Sequence, residues 1–206
     1  MNSPISNIVV FDLETTGLKP EANAILEIAC CSFNHDLVDL KEYESGVMKV
    51  YGDREINDGA LKANGITMQQ INSGRDPSIV IQELIKYFDS MRVGRNKPIL
   101  AGHNIDKFDI PFLQDFFKFF KQDLSKYINL DFTIDTMWWA RLKWKEANNY
   151  KLGTCCETEG VELVDAHRAI TDTRSNKALV KVFIKSLKSG VSQEKRDEYQ
   201  RPVFQF

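Results

Sequence analysis

The stretch Ile8-Val9-Val10-Phe11-Asp12-Leu13-Glu14-Thr15-Thr16-Gly17-Leu18 decides how this chain folds. Ile8 to Phe11 is an unbroken apolar run, the pattern of a buried strand. Asp12 and Glu14 then interrupt it, one residue apart. Side chains alternate along a strand, so both carboxylates leave it on one face. Two anions that close repel, which raises a pKa or calls for a cation. Thr15-Thr16-Gly17 lets the chain turn sharply. Two readings stand here: a metal platform at a strand end, or an acidic strand end facing water.

Working outward, the 206 residues suit one compact domain with a sizeable core and a short tail. Apolar content of 43% and charged content of 27% are ordinary for a globular chain. The net charge of −2 argues against coating long nucleic acid by bulk charge, but it leaves room for an enzyme that grips one strand end. Cys30-Cys31 and Cys155-Cys156 are adjacent pairs. Neighbours on a strand face opposite sides, so buried free thiols are expected rather than a zinc site. No apolar run approaches membrane length and no N-terminal h-region is present, so the expected location is cytoplasmic, with no membrane partner.

Ala24 to Phe33 reads as a second strand, and Leu37 to Val50 contains a third. Short turns join the three, which implies an antiparallel meander. A short helix is expected over Ala60 to Ala63. Another follows the cap Thr67, over Met68 to Asn72. Asp76-Pro77 starts a longer one that ends near Ser90 or Met91. Pro98 to Gly102 is a fourth strand. Ile110 to Lys121 is a helix rich in Phe, read as a core element rather than a base-stacking platform. Phe132 to Ile134 is a fifth strand, followed by a helix over Asp135 to Lys145. Lys151 to Gly160 is a short helix, and Thr171 to Leu187 a long amphipathic one that begins a few residues earlier. The expected fold is α/β, with a mixed five-stranded sheet, three strands antiparallel and the rest parallel, flanked by helices. Residues 1–188 form the domain and 189–206 the tail.

Two later segments bear on the first acid pair. Gly102-His103-Asn104-Ile105-Asp106-Lys107-Phe108-Asp109 leaves a buried strand and enters a helix, where open α/β sheets place ligands. Asp109 stands near the helix start, where capping is its alternative role, and Asp106 competes with it as a ligand. In the segment from Asp165 to Asp172, His167 and Asp172 lie about one and a third turns apart if helical, able to border one cleft.

Together these segments resemble the DEDDh branch of the 3′–5′ exonuclease superfamily, a group that includes the proofreading subunit of bacterial replicative polymerase, RNase T and oligoribonuclease. The resemblance runs from about Ile8 to Leu187. Asp12-Leu13-Glu14-Thr15-Thr16-Gly17 is similar to the first motif, Asn104 to Asp109 to the second, and His167 to Asp172 to the third. The histidine, in place of tyrosine, selects the branch. Lys151 to Cys156 resembles the short helix before the third motif. There are two departures. Three residues separate Asn104 from Phe108, where bacterial proofreading subunits have two. Asn64-Gly65-Ile66 stands where the family has His-Gly-Ile.

The resemblance implies a ribonuclease H-like fold and hydrolysis of nucleic acid from a free 3′ end to nucleoside 5′-monophosphates. Two divalent ions about 3.5–4 Å apart stabilise the attacking and leaving oxygens in such chemistry. Oxygen ligands favour Mg²⁺ or Mn²⁺. Asp12 is then the bridging ligand, Glu14 and Asp172 serve the metal that activates water, and Asp109 serves the second. His167 takes the proton from the attacking water. Substrate contacts fall to Thr15, Thr16, Leu18, Ile66, Asn104 and Phe108. The 3′-OH meets Glu14 and the Thr15 backbone, and Leu18 and Phe108 flank the terminal base and sugar. For Leu18, simple core packing is the alternative. Glu27 either supports the site or faces a polar layer. Lys143, Lys145, Arg92 and Arg95 either touch phosphates or sit on solvated faces.

DNA is favoured over RNA as substrate, and a DNA polymerase or other replication protein is the expected partner. An RNA-trimming enzyme of the same family is one alternative, and a non-catalytic polymerase-associated binding module is another. Pro202-Val203-Phe204-Gln205-Phe206 either docks on a partner or folds back onto the domain.

Overall fold

A computed structural model of the chain describes residues 6–162 and 168–189. Three strands open it: β1 (Ile8–Thr15), β2 (Ile25–Phe33) and β3 (Asp39–Glu44). Helices α1 (Asp58–Asn64), α2 (Met68–Asn72) and α3 (Pro77–Ser90) follow, then β4 (Ile99–Gly102) and α4 (Asp109–Phe119). A short 3-10 turn at Leu124–Lys126 leads to β5 (Asn129–Asp135), α5 (Thr136–Lys143), α6 (Leu152–Thr158) and α7 (Ala169–Ser189). The five-stranded sheet has the order β3-β2-β1-β4-β5. β1 is antiparallel to β2 and β2 to β3, whereas β1 and β4, and β4 and β5, are parallel. This is the mixed sheet expected from the sequence.

The alternation of β1 divides the interior. Val9, Phe11 and Leu13 face the main core, with Val80, Leu84 and Phe88 of α3 and Phe112, Phe116 and Phe117 of α4. Ile8 and Val10 face the other way, packing with Phe33, Ala101, Ile134 and Val180 of α7. Asp12 and Glu14 continue the second row, so α7 covers the face from which both carboxylates project. The Phe-rich helix is a core element as expected, except that Phe119 is partly exposed.

Several boundaries differ from expectation for local reasons. Asn57 caps α1 by accepting from the Gly59 and Ala60 N–H groups, which starts that helix early. Asp135 closes β5 and caps α5 through the Met137 N–H, so it precedes the helix rather than beginning it. β5 starts at Asn129, which pairs with Ile99 before the register shifts and resumes at Thr133; its early side chains are half-buried or exposed and so give no strand signal. All four cysteines are free and buried. Cys155 and Cys156 pack with Ala140, Leu179 and Phe183, which joins α5, α6 and α7. Among the described residues no helix is long and apolar enough to cross a membrane. Ser189 ends α7, one residue into the expected tail, and residues 190–206 lie outside the described residues.

Candidate active site

The site forms at the sheet end where parallel β1, β4 and β5 finish. Asp12 and Glu14 come from β1 and Asp172 from the first turn of α7. One carboxylate oxygen from each of the three lies within 4.8 Å of the others. Asp109 opens α4, where it is buried, and its carboxylate accepts from its own N–H and from that of Leu13 on β1. The helix cap is Phe108, so Asp109 is not the capping residue. Asp106 does not compete with it: it is exposed and accepts from the Thr133 hydroxyl at 2.7 Å.

The electrostatics follow from burying like charges. Burial raises Asp12 well above the usual carboxylate range, and Asp109, Glu14 and Asp172 add to the rise. Burial, then Glu27 and Asp172, pushes Glu14 up to about 8. Burial also pushes Asp109 up to about 8, against its two N–H bonds. Carboxylates so arranged hold protons or a cation near neutral pH. The charge of Asp135 adds to the rise of Asp109. The buried Asp135 accepts from the Asn104 N–H at 2.9 Å through Oδ1, while its Oδ2 has no partner among the described residues. An all-oxygen donor set of this kind fits a hard divalent cation.

Three residues outside the expected set shape the site. Glu27 on β2 is the cross-strand partner of Glu14 and is 1% exposed. Arg168 binds it through two bonds, Nη2 at 2.7 Å and Nε at 3.3 Å. That pair answers the open question about Glu27: it anchors the start of α7, and so Asp172, to the sheet. Asn64 is buried. Its amide donates to the Thr15 carbonyl at 3.2 Å and accepts from the Ile66 N–H at 3.1 Å. It also hydrogen-bonds Glu14, which opposes that group's rise. Asp135, the third, holds the Asn104 turn in place. Asn104 takes a left-handed φ of 63°, a conformation that Asn tolerates better than most non-glycine residues.

The expected substrate residues divide. Leu18 is 80% exposed, which excludes core packing as its role. Phe108 is half-buried and lies against Phe112, ring centroids 5.0 Å apart. Thr15 is buried and its hydroxyl donates to the Gly17 carbonyl. Thr16 is enclosed: its hydroxyl donates to the Glu55 carbonyl and accepts from the Ala24 N–H, and its own N–H and carbonyl bond Ala24 and Asn57. Ile66 is buried with Leu26 and Ile71. Of the basic residues, Lys143 pairs with Glu159 and Arg92 with Asp89. Arg92 and Arg95 precede β4 and therefore sit at the opposite end of the sheet from the acids. His167 lies outside the described residues.

This architecture recurs in known proteins. The family model described as Exonuclease matches residues 9–180. DNA polymerase III PolC-type of Bacillus cereus is 30% identical over 192 residues, which is 93% of this chain and 12% of that polymerase. Among solved structures, E. coli Exonuclease I in complex with a dT13 oligonucleotide superimposes with a TM-score of 0.75 at 18% identity, covering 94% of this chain and 46% of that one. The zinc ion bound form of the E. coli ExoI–ssDNA complex matches with the same TM-score and identity, covering 45% of that chain. This chain thus spans under half of the exonuclease I chain and about an eighth of the polymerase. With the family model matched over residues 9–180 and the mixed sheet shared with these structures, the chain belongs to the exonuclease family, within the DEDDh-type 3′–5′ exonuclease superfamily.

Proposed function

We propose that this chain removes nucleotides one at a time from the 3′ end of single-stranded DNA, releasing nucleoside 5′-monophosphates with the help of two divalent cations. The observation that carries this reading is the meeting of Asp12, Glu14 and Asp172 within 4.8 Å, with Asp109 raised by burial beside them. Asp12, Glu14, Asp109 and Asp172 would hold the cations, Mg²⁺ or Mn²⁺ by the hardness of their oxygen donors. When bound, such ions stabilise the charge on attacking and leaving oxygens.

The chain's own residues supply the rest. Glu14 and the Thr15 backbone meet the terminal 3′-OH, and Asn64 fixes both by bonding Glu14 and the Thr15 carbonyl. Leu18 offers an exposed apolar surface to the terminal base, with Phe108 on the other side. His167 takes the proton from the attacking water. Arg168, the next residue in sequence, is tied to Glu27. A polymerase or other replication protein is the proposed partner, motivated by the PolC-type likeness.

End-labelled single-stranded DNA, duplex DNA and single-stranded RNA, offered side by side with Mg²⁺ and with chelator, test this. The expected result is shortening of single-stranded DNA from its 3′ end, abolished by chelator and by Asp12→Asn, with a circular single strand resistant. Faster loss of RNA would move the substrate to RNA. Cutting of the circle at a comparable rate would replace the exonuclease with an endonuclease.

A further inference from the structure

We propose that Lys107, Trp138, Arg141 and Tyr150 form a track for the single strand behind its 3′ end. The proposal rests on the exonuclease reading for the identity of the strand. The Arg141 guanidinium lies 5.4 Å from the Trp138 ring centroid and 5.2 Å from that of Tyr150, and the Lys107 ammonium lies 5.4 Å from Trp138. Cations and rings alternate on one surface. Trp138 is 42% exposed, a large apolar area left in water.

Arg54, Arg75, Arg92, Arg168 and Arg174 each pair with a carboxylate. Among the described residues Arg141 and Lys107 do not. They keep their charge available, as Arg95 and most of the described lysines do; what distinguishes them is their place against the exposed Trp138 ring. The neighbouring Asp106 is engaged by the Thr133 hydroxyl.

Topology brings the patch to the acids. β5 runs parallel to β4 and β4 to β1, so α5 starts at the sheet end where Asp12 and Glu14 lie. Trp138 is in the first turn of α5, and Lys107 lies on the β4–α4 connection that ends at Asp109. The patch therefore flanks the acid centre on its β5 side. His103 braces it: Nε2 donates to the Tyr150 carbonyl at 2.7 Å and Nδ1 lies 2.9 Å from the Thr136 hydroxyl.

The acid centre accounts for one terminus and repels the phosphates behind it, and the chain's net charge gives no general attraction. A strand needs local cations there. A guanidinium stacked on rings keeps its N–H edge for a phosphodiester, and the exposed indole face takes a base by stacking, without sequence preference. The competing role is a structural knot holding α5 to the 103–109 connection.

Fluorescence anisotropy with 5′-labelled oligo-dT of roughly 4 and 12 nucleotides, within and across a typical single-strand site, separates the two. Chelator keeps the probes intact. The expected result is tighter binding of the longer probe by the unaltered chain. The double variant Trp138→Ala, Arg141→Gln should lose about tenfold or more on that probe. Arg141→Gln alone should lower the slope of log K against log salt by about 0.7, one phosphate contact. An unchanged Kd on the longer probe, with or without a lowered melting temperature, overturns the track, as does equal binding of both probes by the unaltered chain. If the double variant fails to fold, the salt slope of the exposed single variant decides. Absence of Mg²⁺-dependent digestion would overturn the exonuclease reading alone, because the track is judged on binding.

Discussion

His167, the proposed general base, allows a sharp test of chemistry apart from stability. Acting as the general base, it should make His167→Ala lose about 10²–10⁴ in kcat. The acidic limb of the pH–rate profile should change as well, because only neutral imidazole accepts the proton. Metal-induced stabilisation should persist, since the carboxylates remain. Unchanged turnover with an unchanged acidic limb would remove His167 from the mechanism. The acids themselves were readable from the sequence because strand alternation and helix position are local. The roles of Glu27 and Asn64 were not, although the sequence points to both positions, because each depends on a distant partner. Glu27 acquires its role from pairing opposite Glu14 across two strands, and from Arg168, which is 141 residues away along the chain. Asn64 reaches the Thr15 carbonyl across 49 residues. Cross-strand register and side-chain bonds of that range leave no trace in local pattern. Asp135 does carry a local signal, an acid at a strand-to-helix boundary, but that pattern fits the first residue of a helix as well as its cap.

At the scale of elements, the end of β4 controls where the second motif begins. Gly102 sits where an added Cβ would come within 2.2 Å of Ile105 Cγ2 and 3.2 Å of the Phe11 carbonyl oxygen. Ile105 is fully buried and β-branched, so it cannot swing aside. Gly102→Ala should therefore cost about 1–3 kcal/mol, the range for overpacking a core. It should also lower kcat by displacing the Asn104–Asp109 connection that carries Asp109. Urea unfolding and steady-state kinetics check the two effects, and a variant as stable and as active as the parent would show that this close approach is dispensable. The elements themselves were legible where burial is lopsided. β1, β2 and β4 are apolar runs buried along nearly their whole length, and α3 and α4 carry clear stripes. β3 is mostly exposed, an edge strand that among the described residues pairs only with β2, and its extent is set by that pairing rather than by its own residues. The 3-10 turn at Leu124–Lys126 is too short to have a period.

At the scale of the whole molecule, the acid centre sets how stability responds to pH and to metal. In an unfolded chain Asp and Glu ionise near pH 4. In the folded chain Glu14 and Asp109 keep their protons up to about 8, and Asp12 is raised as well. Between those limits the folded state binds more protons than the unfolded state, so without metal its stability falls as pH rises. The favourable contribution is fully present below about pH 4 and is lost as pH approaches 8. The proposed divalent cation should reverse the trend, because it would bind the ionised carboxylates of the folded state and stabilise by mass action. With chelator, the melting temperature should thus decline from about pH 5 to pH 8 as these groups lose their protons. The rise produced by Mg²⁺ or Mn²⁺ should grow over the same interval. Asp12→Asn removes a charge from the middle of the cluster, so it should flatten the metal-free decline and abolish most of the metal response. Thermal melts of both proteins at several pH values, with and without metal, measure all three effects. A variant that keeps the full metal response would mean that these carboxylates do not share one site.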